Sequence, residues 1–279
     1  MYLISLNEEE NTKTESGIWI DTTWGNKYAH SVQNGIIESI PQQVSKSYKD
    51  DVGIKTGNRA YFHHFVHADD NYIIDGERKL FKCNRYHLYC IIQNETIQML
   101  DEWLLASPIL ETEESIIKEF GTLKLWTKAS PDKMHLMATS EHISKECERQ
   151  GLKVGDTIFF RSDADYNMNI EGKEYYRMSL KNVVAVVRGG KLLPLRDEII
   201  VINNSKNEEI RPSGLIIPIL KSQREQCEKI LYIGDQDEEK QFKIGDEVMF
   251  FNQGCQKIEF EGVKYAILRQ EEVIGVFQD

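Results

Sequence analysis

Proline is scarce, with 6 residues, and glycine is limited to 18 of 279, which excludes collagen-like repeats and low-complexity linker chains. Basic charge is in deficit: 34 Lys and Arg stand against 45 Asp and Glu, for a formal net charge of −11. A nucleic-acid binder needs a basic field to displace counterions from phosphates, so that class is not expected. No apolar run approaches the roughly 20 residues that a membrane-spanning helix requires. The apolar start, Met1 to Leu6, breaks into Glu8-Glu9-Glu10 without the basic flank and cleavage site of a secretory signal, so the expected setting is the cytoplasm. Five cysteines (Cys83, Cys90, Cys147, Cys227 and Cys255) are odd in number and form no Cys-x-x-Cys; they read as reduced thiols rather than a disulfide framework. There is no Gly-x-Gly-x-x-Gly, P-loop, Gly-x-Ser-x-Gly or His-Glu-x-x-His, and catalysis is not expected. The paired acids Asp163 and Asp165 sit in a turn-like stretch and read as solvated carboxylates.

What the chain does have is short runs of Val, Ile and aromatic residues bounded by Gly, Asn and Asp. Ile199-Ile200-Val201-Ile202, Val183 to Val187, Val248 to Phe251 and Ile91-Ile92 are strand signals. Helical candidates are few and short: Ser140 to Arg149 and Ser222 to Lys229. This predicts an all-β chain of brief strands, the habit of sandwiches and barrels.

Length alone suggests about two domains, but self-similarity revises that. Lys153-Val154-Gly155-Asp156-Thr157-Ile158-Phe159-Phe160 recurs as Lys243-Ile244-Gly245-Asp246-Glu247-Val248-Met249-Phe250, and in decayed form as Lys55-Thr56-Gly57-Asn58-Arg59-Ala60-Tyr61-Phe62. A second glycine follows each at Gly76, Gly172 and Gly262, after 19, 17 and 17 residues. Apolar strands follow near Leu88, Val183 and Val273, and an Asp-Glu pair ahead of an apolar run recurs at Asp101-Glu102 and Asp197-Glu198. Such ordered recurrence predicts three tandem units, residues 1–97, 98–190 and 191–279. Gly189-Gly190 between apolar runs is a hairpin signal, and the joint from Gln93 to Gln98 is nearly as short. The last strand of one unit is therefore expected to pair with the first of the next.

Each unit resembles the GroES-type co-chaperonins, the lids of ring-shaped chaperonins. Residues 192–279 are most similar, with Leu193-Pro194-Leu195-Arg196-Asp197-Glu198 opening a strand. Ser213-Gly214-Leu215-Ile216-Ile217-Pro218 is similar to the mobile-loop tip, and Lys229 to Gly234, Phe242 to Phe251, Glu259 to Arg269 and Glu271 to Val276 complete the order. The resemblance implies three tandem partial Greek-key β-barrels joined by short hairpin-like connections. It implies a co-chaperonin that caps a GroEL-type chaperonin ring, self-associates into a ring and takes no cofactor, ATP being used by the chaperonin. The implied chaperonin-binding residues are Gly214, Leu215, Ile216 and Ile217, and in the first unit Gly17, Ile18, Trp19 and Ile20.

Physical reasoning supports those segments. Glu8 to Glu15 and Asn203 to Arg211 are too polar to order themselves by burial, so apolar triplets stranded there invite a covering partner. Burying three such side chains contributes roughly 5–8 kcal/mol, while ordering the loop costs about 1–2 kcal/mol per residue. One loop should bind weakly, and a lid needs several. The blander reading makes each triplet an edge strand of its own barrel. The second unit's slot, Glu111 to Phe120, has no Ser-Gly pair; Ser115-Ile116-Ile117 is not expected to be an anchor, and the unit reads as a spacer or a specialised contact surface. A second reading makes the chain a structural or assembly protein, for instance a viral-particle component in a host cytoplasm, that reuses the barrel for packing.

The first unit also holds His63, His64 and His67, then Cys83, His87 and Cys90. Imidazole and thiolate are zinc ligands, which makes His67, Cys83, His87 and Cys90 weak metal candidates. The spacing matches no closed zinc motif. Strand alternation would also keep His63 and His64 on opposite faces, so no metal is expected.

Overall fold

A computed structural model of the chain describes residues 1–6, 33–42, 53–67, 71–110, 116–120, 123–127, 133–162, 164, 166–203, 208–210, 216–218, 225–235, 242–251 and 255–277. The strands of the first sheet are β1 (Tyr2–Leu6), β2 (Asn34–Ser39), β3 (Arg59–Phe62), β4 (Tyr72–Asp75), β5 (Arg78–Cys83), β6 (Leu88–Gln93) and β7 (Thr96–Met99). Next come β8 (Trp103–Leu110), β9 (Ile116–Phe120), β10 (Leu123–Thr127), β11 (Lys133–Ile143), β12 (Thr157–Phe160), β13 (Tyr166–Ile170), β14 (Lys173–Ser179), β15 (Val183–Arg188) and β16 (Lys191–Pro194). The last group is β17 (Glu198–Ile202), β18 (Glu208–Ile210), β19 (Ile216–Pro218), β20 (Glu225–Ile233), β21 (Glu247–Phe251), β22 (Gln256–Phe260), β23 (Val263–Arg269) and β24 (Val273–Phe277). The all-β expectation holds.

One strand permutation occurs three times: β4-β5-β1-β2-β3-β6, β13-β14-β8-β11-β12-β15 and β22-β23-β17-β20-β21-β24. The first two sheets gain a seventh strand, β7 and β16, on the last strand. Register shifts recur between Tyr61 and Phe62, Phe159 and Phe160, and Met249 and Phe250. Such irregularities increase local twist and help a sheet curl. Curling is visible in the first core, where Phe81 of β5 and Leu88 of β6 join Ile4, Ile37 and Phe62 although three strands separate β5 from β6.

The recurring Lys-x-Gly-Asp motif is a turn lock. Lys153 N donates to the Asp156 carboxylate at 2.8 Å, and Gly155 N donates to Ser140 O at 2.8 Å. Lys243 N and Asp246 repeat the bond at 2.9 Å, while Gly245 N reaches Ile230 O at 2.9 Å. In the decayed copy Asn58 Oδ1 accepts from Lys55 N at 2.8 Å and Gly57 N donates to Ile37 O at 2.8 Å. Asn keeps the acceptor that Asp supplies. The three glycines have φ of 90°, 86° and 97°, a region only glycine enters without strain.

The expected hairpin joints are present. Asn94 and Glu95 (φ 51° and 60°) turn β6 into β7, and Gly189 and Gly190 (φ 56° and 71°) turn β15 into β16. Positive φ at both central residues matches the right-handed twist of the paired strands.

Helical expectations need correction. Ser140 to Ile143 belong to β11, and the helix α1 covers only Lys145–Arg149, with Ser144 Oγ accepting from Cys147 N at 3.2 Å as its cap. Within the second candidate, Glu225 to Lys229 lie in β20, paired residue by residue with β21. The ladder outweighs local helix propensity there.

Two compact units emerge, Met1–Leu105 with His142–Arg149, and Ala106–Glu141 with Gln150–Asp279. In the second unit β17 is buried on both faces. Ile199 and Val201 pack with Ile230, Val248, Phe250 and Leu268, while Ile200 packs with Phe159, Val184 and Leu192. Double-sided burial explains why this strand reads as a continuous apolar run instead of an alternation.

Candidate functional site

Ile216 and Ile217 open β19, which pairs only with β18 in a two-stranded ribbon: Glu208 opposite Pro218, Glu209 opposite Ile217, Ile210 opposite Ile216. The ribbon follows β17 and precedes β20 in the chain and takes no place in the six-stranded order. Gly214 and Leu215 lie outside the described residues, as do Gly17, Ile18, Trp19 and Ile20 of the first loop and Asp163 and Asp165. The second sheet carries a ribbon in the same slot, between β8 and β11. There β9 pairs with β10, Phe120 opposite Leu123 and Ile117 opposite Trp126.

The strands that bracket the β18–β19 ribbon are held by residues that a motif search passes over. Glu198, at the root of β17, is fully buried and accepts from Arg196 N at 3.1 Å and from its guanidinium at 2.9 Å. The same guanidinium reaches Lys181 O at 3.1 Å and Val183 O at 3.3 Å. Burial pushes the Glu198 carboxyl above its ordinary range, and the Arg196 charge offsets part of that shift. At the other bracket, Gly234 N donates to Glu198 O at 2.9 Å and Asp235 N to Arg196 O at 2.6 Å. A Cβ at Gly234 would overlap the Arg196 carbonyl. The recurrence of Asp101-Glu102 as Asp197-Glu198 was the only sequence signal for this corner, and nothing in it foretold the close approach at Gly234.

The histidine–cysteine cluster corrects one argument. His63 and His64 do not follow strand alternation, because His64–His67 forms a 3-10 turn. Their ring centroids lie 4.0 Å apart, and His87 is 5.7 Å from His63. His67 packs 5.4 Å from the Phe81 ring. Cys83 and Cys90 are fully buried; burial pushes the Cys83 thiol up to about 12 and raises that of Cys90 as well. Both are thus held as thiols, whereas metal ligation uses thiolate. Burial also lowers the His87 pKa. Among the described residues no group of three or more His, Cys, Asp and Glu is arranged to hold a metal ion.

A six-stranded antiparallel sheet with a separate ribbon inserted between its first two strands defines the class: an all-β module with a loop insertion at one fixed place. Comparison with known proteins agrees. The family model described as chaperonin 10 Kd subunit matches residues 191–277. The co-chaperonin GroES of Thermodesulfovibrio yellowstonii is 32% identical over 88 residues, covering 32% of this chain and 98% of that protein. The co-chaperonin GroES of Aquifex aeolicus is 34% identical over 96 residues, covering 32% and 79%. That of Porphyromonas gingivalis is 34% identical over 85 residues, covering 30% and 94%. The chain belongs to the GroES co-chaperonin family, and the family model falls on its C-terminal third. Among the described residues no helix is long and apolar enough to cross a membrane.

Proposed function

We propose that the chain is a cytoplasmic co-chaperonin of three tandem units, 1–97, 98–190 and 191–279, that caps a GroEL-type chaperonin ring. Gly17 to Ile20 and Gly214 to Ile217 are its contacts, docking into an apolar groove, and self-association closes the cap. It catalyses no reaction and binds no cofactor; ATP is consumed by the chaperonin. The observation that carries this reading is the family match over residues 191–277, which contains the triplet Leu215-Ile216-Ile217 in a segment separate from the main sheet. Several weak loops acting together supply the avidity that one cannot.

The test mixes the full chain with its chaperonin ring and ATP and follows ATPase rate and refolding of a dependent substrate. The chain should change both. Converting Ile18, Trp19, Ile20, Leu215, Ile216 and Ile217 together to Ser should abolish both effects; unchanged effects would refute the proposal.

A further inference from the structure

The second unit lacks a Ser-Gly pair and reads as a spacer from its sequence, yet it carries a ribbon in the same slot as the third. The spacing around the two ribbons coincides. Five residues separate β8 from β9 (111–115), and five separate β17 from β18 (203–207). Counting back from the next sheet strand, seven residues (126–132) separate Leu125 from β11, and seven (218–224) separate Ile217 from β20. The position of Leu215-Ile216-Ile217 is therefore taken in the second unit by Leu123-Lys124-Leu125, on the second ribbon strand. Ser115-Ile116-Ile117 falls instead at the first ribbon strand. There the third unit has Glu208 and Glu209, so that strand is not the apolar one.

From this juxtaposition we infer that Leu123 and Leu125 form a third chaperonin-binding segment, docking in the same apolar groove as Leu215 to Ile217. The three segments agree where an extended chain requires agreement. Ile18 and Ile20, Leu123 and Leu125, and Leu215 and Ile217 are aliphatic at the first and third positions, while the middle residue varies among Trp19, Lys124 and Ile216. First and third positions of an extended strand share one face, so the groove reads that face. Lys124 at the middle position retains a charge near an apolar site, which weakens this segment relative to the other two. The second unit is then a low-affinity contact, and all three units engage the ring.

This inference rests on the proposed co-chaperonin function, and the experiment separates the two. Full-length chains are bound to a purified GroEL-type ring in ATP, and complex dissociation is timed. L123S/L125S should dissociate about tenfold faster than the natural chain. Lys124→Ile should dissociate several-fold more slowly, a gain that misfolding cannot mimic, and I116S/I117S should leave the rate unchanged. If L215S/I216S/I217S accelerates dissociation while L123S/L125S and Lys124→Ile do nothing, the second ribbon is no contact and the co-chaperonin reading survives. Acceleration by I116S/I117S without an effect of L123S/L125S assigns the contact to the wrong strand and overturns the inference. If no variant changes the rate, both fall.

Discussion

The last strands of the second and third sheets, β15 and β24, occupy the same place in the strand order and lie 90 residues apart, yet their burial differs sharply. Val183 to Val186 are all fully or almost fully buried, covered by β16 and by the core that includes Ile200 and Ile267. Their counterparts on β24 are open, with Ile274 47% and Phe277 51% exposed. Both strands are apolar in sequence. Position relative to a neighbouring sheet, rather than local composition, sets how much each apolar residue contributes to stability.

Three tests break or sharpen that contrast. Val184→Asp places an unpaired charge in the core and should cost about 4 kcal/mol, whereas Ile274→Asp on the open strand should cost about 1 kcal/mol or less. Denaturant unfolding of the two variants checks the difference, and equal losses would mean that β24 is covered in the same way in solution. Next in size is a glycine pair. Gly234→Ala drives a Cβ into the Arg196 carbonyl and should cost about 2–3 kcal/mol. Gly275→Ala, with nothing within 4 Å of the added carbon, should stay within about 0.5 kcal/mol.

The smallest effect concerns pH. Glu198 has its carboxyl raised by burial, so it ionises at higher pH in the folded chain than in the unfolded one. Its contribution to stability is therefore intact below the ordinary glutamate value of 4.5 and falls as pH rises from there through the raised value. Glu198→Gln keeps an acceptor for Arg196 and removes that fall. Unfolding free energy measured as a function of pH should show the variant gaining on the natural chain across that window and level above it. Glu102→Gln, at the exposed counterpart, should track the natural chain throughout.

Much of the fold was legible in the residues. The runs at Ile91, Val183, Ile199 and Val248 are strands because β-branched side chains bounded by turn residues favour extended pairing. Gly189-Gly190 predicted a hairpin because both positions require positive φ. Glu225 to Lys229 was illegible as strand, since its polar pattern becomes extended only through the ladder to β21. The placing of His63 beside His64 was equally hidden, because it depends on a 3-10 turn that strand alternation does not anticipate. At the candidate site the triplet Leu215 to Ile217 stood out as apolar residues among charges. Leu123 and Leu125 did not, because only the count back from β11 aligns them with it.

By itself the sequence determined the all-β class, the family of residues 191–277, the turn locks at Asn58, Asp156 and Asp246, and the places where strands reverse. These depend on local stereochemistry: β-branching, positive φ and a side-chain acceptor three residues from its donor. Tertiary structure alone decided which apolar strands are covered, why Gly234 must lack a Cβ, how Glu198 is held without water, and which strand of each ribbon takes the anchor position. Those outcomes depend on pairing and packing between residues far apart in the chain, and local composition does not specify them.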